Sequence, residues 1–328
     1  MFDAWVSGTG AYLPEKRVTN FDLEKMVDTS HEWILQRTGI RERRIADASE
    51  ATSDLALRAA VIALERAELK PSDLGAIVLC TVTPDTYCPA GAVYLQRGLG
   101  VSSCAAFDLS AACTGFIYGM AVGTAFVRSG AYKNVLVVGA ETLSRVVDFT
   151  DRNTCILFGD GAGAAVLSRA EGQTGSRIVD SFLCADGGGI SLIEMPGGGS
   201  RQPASHESVE ARQHYLRMQG KEVFKFATKS MVELIEAALE RNRLDAGEIS
   251  LVIPHQVNYR IIEAALKKIA IPEERMFLNL DRYGNTSAAS VPIALHEAVL
   301  AGKLRRGDLV LLVAFGAGLT WGYSLIRW

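Results

Sequence analysis

Cys104-Ala105-Ala106-Phe107-Asp108-Leu109-Ser110-Ala111-Ala112-Cys113-Thr114-Gly115 reads as a short apolar strand that ends in a run of small residues and opens directly into a helix. Beyond it, Phe116, Met120, Ala121 and Phe126-Val127 recur at helical spacing up to Gly130. This spacing predicts a strand-turn-helix unit with Cys113 at the helix N-terminus. Unpaired N–H groups and the positive end of the helix dipole favour the thiolate there, and the thiolate is the reactive form of cysteine. The setting is that of the elbow that presents serine in hydrolases, with sulfur in place of oxygen. Taken alone, one of six cysteines reads equally well as a buried core thiol.

Two distant segments bear on that choice. Val252-Ile253-Pro254-His255-Gln256-Val257-Asn258 is an apolar strand that stops at a proline and delivers a histidine before a new helix. Gly284-Asn285-Thr286-Ser287-Ala288-Ala289-Ser290 is a second small-residue turn opening a helix. Each puts one polar side chain at a strand end, where open α/β sheets place their ligands. Singly, His255 is also readable as a structural histidine and Asn285 as a helix cap. Together with Cys113 they form a set that can arrange a sulfur nucleophile, an imidazole donor and an amide donor around one thioester carbonyl.

The chain also echoes itself. Ala63-Leu64-Glu65-Arg66 returns 175 residues later as Ala238-Leu239-Glu240-Arg241, and Val135-Leu136-Val137-Val138 returns at the same offset as Val310-Leu311-Leu312-Val313. Ile77-Val78-Leu79 matches Leu251-Val252-Ile253, and Phe158-Gly159-Asp160-Gly161-Ala162-Gly163 matches Phe315-Gly316-Ala317-Gly318. A period this long means duplicated halves, because solenoid repeats run at roughly 20 to 50 residues. The expected organisation is α/β, with halves 1–174 and 175–328, mainly parallel sheets and helices on both faces of each. Cys113 and the Asn285 turn fall at matching places in the two copies, so two helix N-termini are expected to face one cavity.

With 328 residues, 48% hydrophobic and 22% charged, the composition is that of a compact soluble enzyme. The net charge of −3 argues against nucleic acid, whose binding usually needs a basic field. Met1-Phe2-Asp3-Ala4-Trp5 lacks the basic start and apolar run of a signal peptide, and no apolar stretch approaches a membrane span. Cysteines 80, 88, 104, 113, 155 and 184 have no close pairing or metal-ligand spacing, so neither a metal nor disulfides are expected and a reducing cytoplasm is. Gly8-Thr9-Gly10 and Gly159-Asp160-Gly161 hint at a nucleotide loop, although neither completes G-x-G-x-x-G.

Ala112-Cys113-Thr114-Gly115-Phe116, Phe158-Gly159-Asp160-Gly161-Ala162, His255-Gln256-Val257-Asn258, Gly284 to Ser290 and the closing Phe315-Gly316-Ala317-Gly318-Leu319-Thr320-Trp321-Gly322 resemble β-ketoacyl-acyl-carrier-protein synthase III. The likeness begins at Gly8-Thr9-Gly10-Ala11-Tyr12-Leu13-Pro14 and covers essentially the whole chain. It implies the thiolase-like fold, two similar halves in a five-layer αβαβα sandwich, and a homodimer. It also implies a decarboxylative Claisen condensation of an acyl-CoA primer with malonyl-carrier protein, initiating type II fatty acid synthesis. Cys113 would carry the acyl group, with the backbone N–H groups of Cys113 and Gly316 as oxyanion hole. His255 and Asn285 would hold the enolate left by loss of CO2. No cofactor is implied, acyl-CoA and malonyl-carrier protein being substrates. Elongating synthases have a second histidine where this chain has Asn285.

The same resemblance maps CoA onto Thr29, Trp33, Arg37 and Arg152, with Trp33 and Arg152 expected to sandwich the adenine. It maps the pantetheine tunnel onto Met218, Gly220, Phe224 and Asn258. Gln256 and Arg260, with Lys267, Lys268 and Lys225 nearby, are expected to dock the acidic carrier protein, although a solvated helix face reads the same way. Before Pro89 the acetyl-CoA-using members have Phe at the mouth of the partner's acyl pocket. This chain has Cys88, so primers longer than acetyl are expected. A starter-unit synthase of a polyketide or other specialised pathway would use the same residues. The order Cys, His, Asn is also that of papain-like proteases, whose Cys-Gly-Ser-Cys-Trp type of signature is missing.

Overall fold

A computed structural model of the chain describes residues 2–170 and 175–328. The first sheet comprises β1 (Ala4–Tyr12), β2 (Ala76–Cys80), β3 (Ala105–Leu109), β4 (Asn134–Glu141) and β5 (Gly161–Arg169), in the order β1-β5-β4-β2-β3. The second comprises β6 (Arg177–Ala185), β7 (Ile249–Pro254), β8 (Leu309–Gly316) and β9 (Thr320–Arg327), in the order β7-β8-β9-β6. Six helices set the layers and the site: α1 (His31–Thr38), α2 (Thr52–Arg66), α3 (Gly115–Ser129), α4 (Gly220–Asn242), α5 (Tyr259–Leu266) and α6 (Ser290–Leu300).

The layers follow from what each sheet buries. β2, β4 and β8 are buried at every residue, so both faces of each sheet must be covered. α2 covers the outer face of the first sheet, α3 and α6 fill the space between the sheets, and α4, with α5 beside it, covers the outer face of the second. The result is the αβαβα sandwich that was expected. β2 corresponds to β7, β4 to β8, β5 to β9 and β1 to β6, and the two sheets list them in the same spatial order. Among the described residues the second sheet has no counterpart of β3. The isolated parallel bridge between Val252 and Met276 stands in its place.

Two expectations are corrected. The sheets are mixed rather than mainly parallel: β2 runs parallel to β3 and β4, and β7 to β8, but β5 runs antiparallel to both neighbours, as does β9. From β8 the chain reaches β9 across residues 317–319, too few for the crossover helix that a parallel return requires. Secondly, the equivalence is between 3-10 turns, Ala112–Thr114 before α3 and Ser287–Ala289 before α6. At the 175-residue offset Cys113 therefore corresponds to Ala288, and the Asn285 side chain lies three residues ahead of that point. The expected boundary at 174/175 borders residues 171–174, which lie outside the described residues.

Gly8 and Gly10 are not a phosphate loop. They lie inside β1, and a Cβ on either would fall 2.2 or 2.1 Å from a backbone oxygen of α2, so their role is close helix-to-sheet packing. Gly161 begins β5, with no helix N-terminus following it.

Candidate active site

Cys113 sits in the 3-10 turn ahead of α3, after Ala112, whose φ of +47° is left-handed. The turn is pinned to the start of β9 by Thr114 Oγ1, which lies 2.9 Å from Thr320 Oγ1. A Cβ on Gly316 would come within 2.9 Å of both the Cys113 nitrogen and its Cβ, so only glycine lets the end of β8 lie against the nucleophile. Cys113 is half-buried because it opens on a cavity. The protein around it nevertheless desolvates the sulfur and pushes the thiol up to about 12, while hydrogen bonding with the Ser287 side chain and with its own N–H pulls it down. The resting group is thus a thiol. Desolvation opposes the thiolate that the helix position favours.

His255 follows the last residue of β7, where its N–H donates to Val313 O at 2.7 Å. The ring is buried, edge-on to Phe315 at a centroid distance of 5.8 Å, and its Nδ1 lies 2.6 Å from Ser290 Oγ. Ser290 Oγ also accepts the Gln256 N–H at 3.4 Å; with its own proton turned to Nδ1, the ring proton sits on Nε2, the tautomer that a donor role in the cavity requires. Nε2 has no hydrogen-bond partner among the described residues, and the ring lines the cavity. Burial lowers the imidazole to about 3, so it is neutral and donates rather than carrying charge.

Asn285 is held by its backbone: its N–H donates to Leu157 O at 2.8 Å, and its carbonyl accepts Gly159 N–H at 3.0 Å. That pairing joins the Phe158-Gly159 segment to the Asn285 turn. Its Oδ1 accepts the Ser287 N–H at 2.8 Å, which leaves the amide NH2 as the end available to a ligand. Cys113, His255, Asn285, Ser287 and Gly316 line one cavity of about 600 Å³ including its mouth. Its other walls are apolar and include Leu143, Phe158, Leu216, Met218, Val223 and Phe226.

Among the residues mapped to CoA and its arm, Met218 lines the cavity, whereas α4 contributes Val223 and Phe226 instead of Phe224, which packs against the outer core. Gly220 is exposed at the start of α4, and Asn258 caps α5 by accepting the Arg260 N–H at 2.9 Å. Trp33 on α1 has the Arg37 guanidinium 4.7 Å and the Arg152 guanidinium 5.2 Å from its ring centroid. Arg152 also donates to Asp28 O at 3.0 Å. A base between Trp33 and Arg152 needs about 7 Å, two stacking distances, so Arg152 must swing outward to admit it. Thr29 Oγ1 is buried with no hydrogen-bond partner among the described residues.

The docking set divides. Arg260 and Lys268 are exposed and form no ion pair among the described residues, Lys267 pairs with Glu263 at 3.1 Å and Lys225 with Glu222 at 3.0 Å. α5 ends at Leu266, so Lys267 and Lys268 lie past its end rather than on its face. Gln256 is corrected: it is 1% exposed, and its amide is spent on Pro254 O, Phe277 O and the Asn279 N–H, so it cannot reach a partner. Cys88 is exposed on its own chain and does not line its own cavity.

Sequence reading missed Ser287, Ser290, Glu141 and the Thr81–Thr83 turn. Both serines lie within the quoted motif, where they pass as small turn residues. A carboxylate ending the apolar run of β4 was the available signal for Glu141.

Residues 107–187 and 239–328 match the two models for 3-oxoacyl-[acyl-carrier-protein] synthase III, the latter its C-terminal part. The chain is 58% identical to the beta-ketoacyl-[acyl-carrier-protein] synthase III of Caldanaerobacter subterraneus over 99% of its length and 98% of that protein. It is 49% identical to the Clostridioides difficile protein of the same name, again over 99% and 98%. The crystal structure of the Aquifex aeolicus 3-oxoacyl-[acyl-carrier-protein] synthase III superposes with a TM-score of 0.91 at 49% identity, over 99% of this chain and 100% of that one. The priming β-ketosynthase of the R1128 polyketide pathway gives 0.89 at 34%, over 98% and 96%. Fold and likeness together define a thiolase-like condensing enzyme, an acyltransferase. The chain belongs to the 3-oxoacyl-[acyl-carrier-protein] synthase III family. The papain-like reading is overturned by that membership.

Proposed function

We propose that the enzyme initiates fatty acid synthesis by condensing an acyl-CoA with a malonyl-carrier protein, through an acyl group held on Cys113. The observation that carries the reading is the convergence of a thiol, an unpartnered imidazole Nε2 and a fixed carboxamide on one apolar cavity. In the first stage Cys113 attacks the thioester carbonyl and CoA leaves, the oxyanion lying between the Cys113 and Gly316 N–H groups. In the second stage the malonyl group loses CO2, and its enolate oxygen takes hydrogen bonds from His255 Nε2 and the Asn285 amide. The neutral state of His255 suits that donor role. The carbanion then attacks acyl-Cys113 and releases the 3-ketoacyl product. The chemistry needs no cofactor beyond the two thioesters.

Acyl-CoA would enter past Thr29, Trp33, Arg37 and Arg152, and the carrier protein would dock on Arg260, Lys268 and the paired lysines 225 and 267. The halves would divide at 174/175. β3 is the edge of the first sheet, with half-buried side chains, and a second copy pairing there would make the homodimer and bring Cys88 to the partner's cavity. No helix of the described residues is long and apolar enough to cross a membrane, and we place the enzyme in the cytoplasm. The likeness to a polyketide priming synthase keeps a second reading, supply of a starter unit, which differs in the carrier protein served.

The test is mass spectrometry after incubation with a mixture of acyl-CoAs. An acyl adduct on Cys113 is expected, absent in Cys113→Ala and persistent in His255→Ala, which should no longer condense. Loss of acylation with condensation spared in His255→Ala would reverse the roles.

A further inference from the structure

The site leaves its nucleophile without an obvious base. Cys113 rests as a thiol, and His255, pushed down to about 3, is a poor proton acceptor. Glu141 ends β4 in the wall behind the cavity and is wholly buried. It accepts from Thr81 Oγ1 at 3.1 Å, Thr83 Oγ1 at 2.6 Å, the Val82 N–H at 3.1 Å and Ser287 Oγ at 3.1 Å. No basic side chain bonds it among the described residues. Burial raises its carboxyl to about 7 in spite of those donors. The titratable groups facing it are Cys113 and, from β2, Cys80, with Asp108 of β3 beyond Cys80. Both thiols are pushed up and remain uncharged, so neither competes for the proton.

Ser287 joins the two. Its N–H is held by Asn285 and its hydroxyl donates to Glu141 Oε1, so an oxygen lone pair is left on the side of the cavity that Ser287 shares with Cys113. The left-handed φ of +49° at Ser287 fixes the side chain at this junction.

We propose that Glu141, acting through Ser287, receives the Cys113 proton when the acyl-CoA is attacked. The S–H proton passes to Ser287 Oγ as the serine's own proton passes to Glu141 Oε1, leaving a thiolate and a neutral carboxylic acid. The thiolate adds to the thioester carbonyl, the C–S bond to CoA breaks, and the departing CoA thiolate takes the proton back through Ser287, which restores the carboxylate. Ser287 lines the cavity beside the reacting sulfur. Glu141 is a positioning residue one hydroxyl removed. A base titrating near neutrality suits such a transfer at working pH. The inference rests on the reading that Cys113 is acylated.

The test uses the full-length protein and two rates followed from pH 5.5 to 9.5, alkylation of Cys113 by iodoacetamide and its acylation by an acyl-CoA. The wild type should show a limb near pH 7. In Glu141→Gln and in Ser287→Ala, both rates at pH 7 should fall about 10- to 100-fold and climb with pH without that limb. Malonyl decarboxylation, which uses no thiolate, should fall less than about threefold in Glu141→Gln. A wild-type pH profile in both variants overturns the relay, as does a parallel loss of decarboxylation, which marks Glu141 as structural support. Wild-type Cys113 that is alkylated but never acylated would instead remove the condensing reaction, leaving the alkylation profiles to decide the relay.

Discussion

Ser290 holds the imidazole of His255 from behind, its Oγ 2.6 Å from Nδ1, so a residue at the start of α6 decides which ring nitrogen carries the proton into the cavity. In Ser290→Ala the ring is free to turn or to change tautomer, and only the donor to the enolate suffers. Decarboxylation and condensation should fall roughly tenfold, the equivalent of one hydrogen bond of about 1.4 kcal/mol, with Cys113 acylation unchanged. Single-turnover measurement of the two half-reactions checks this. Equal losses in both would mean that Ser290 supports the whole site rather than the histidine.

Gly316 and Cys113 are in backbone contact, and the methyl of Gly316→Ala would land 2.9 Å from the Cys113 nitrogen and Cβ. Neither neighbour is a flexible side-chain end, so the two segments must part. Acylation should drop about 100-fold or more through the displaced oxyanion donors, with a stability loss of about 1–3 kcal/mol from overpacking. Denaturant unfolding and the pre-steady-state burst of CoA release separate the two effects. An unimpaired burst would place the oxyanion elsewhere.

His255 and Glu141 pull the pH dependence of stability in opposite directions. The imidazole titrates near 6.5 when free and about 3 when folded, so its contribution is complete above about pH 6.5 and is lost as pH falls toward 3. The carboxyl titrates near 4.5 when free and about 7 when folded, so its contribution is complete below about pH 4.5 and is lost as pH rises through 7. Between about pH 4.5 and 6.5 the two slopes offset one another. Glu141→Gln should therefore steepen the rise of Tm with pH across that window, and His255→Ala should flatten or invert it. Calorimetric Tm curves for wild type and both variants that run parallel from pH 4.5 to 7 would contradict both assignments.

What the sequence could carry follows from what each feature depends on. The apolar runs of β4 and β8 and their 175-residue offset depend only on local composition and duplication, and they fixed the layers. Cys113, His255 and Asn285 could be picked out because each ends a strand or opens a helix, a position readable from neighbours. Strand direction at β5 and β9 depends on how the chain returns, which periodicity does not encode. The charge state of Cys113 depends also on desolvation by distant segments, which a local helix argument does not include. Ser287 and Glu141 lie 146 residues apart, and no local pattern joins a turn serine to a strand-end acid. Gln256 failed as a docking residue for the same reason, since its partners Phe277 and Asn279 come from the following segment.

Cys88 and Tyr87 project from their own chain, Tyr87 with 79% of its surface exposed, on the loop that runs on from the Thr81–Thr83 turn beneath Glu141. Such a loop has nothing to cover in its own cavity, and the proposed dimer gives it one in the partner's. A thiol there in place of an aromatic ring leaves room for methylenes, each contributing about 0.8 kcal/mol when buried, or nearly fourfold in kcat/KM. Specificity should accordingly climb about three- to fourfold per added carbon beyond acetyl-CoA until the pocket is filled. Cys88→Phe should return the optimum to acetyl-CoA without altering alkylation of Cys113. The measurement is kcat/KM across an acyl-CoA series for both proteins, with the oligomeric state of each followed by light scattering. A strict preference of the wild type for acetyl-CoA, or an unchanged series in a dimeric Cys88→Phe, would show that the pocket is closed by another residue.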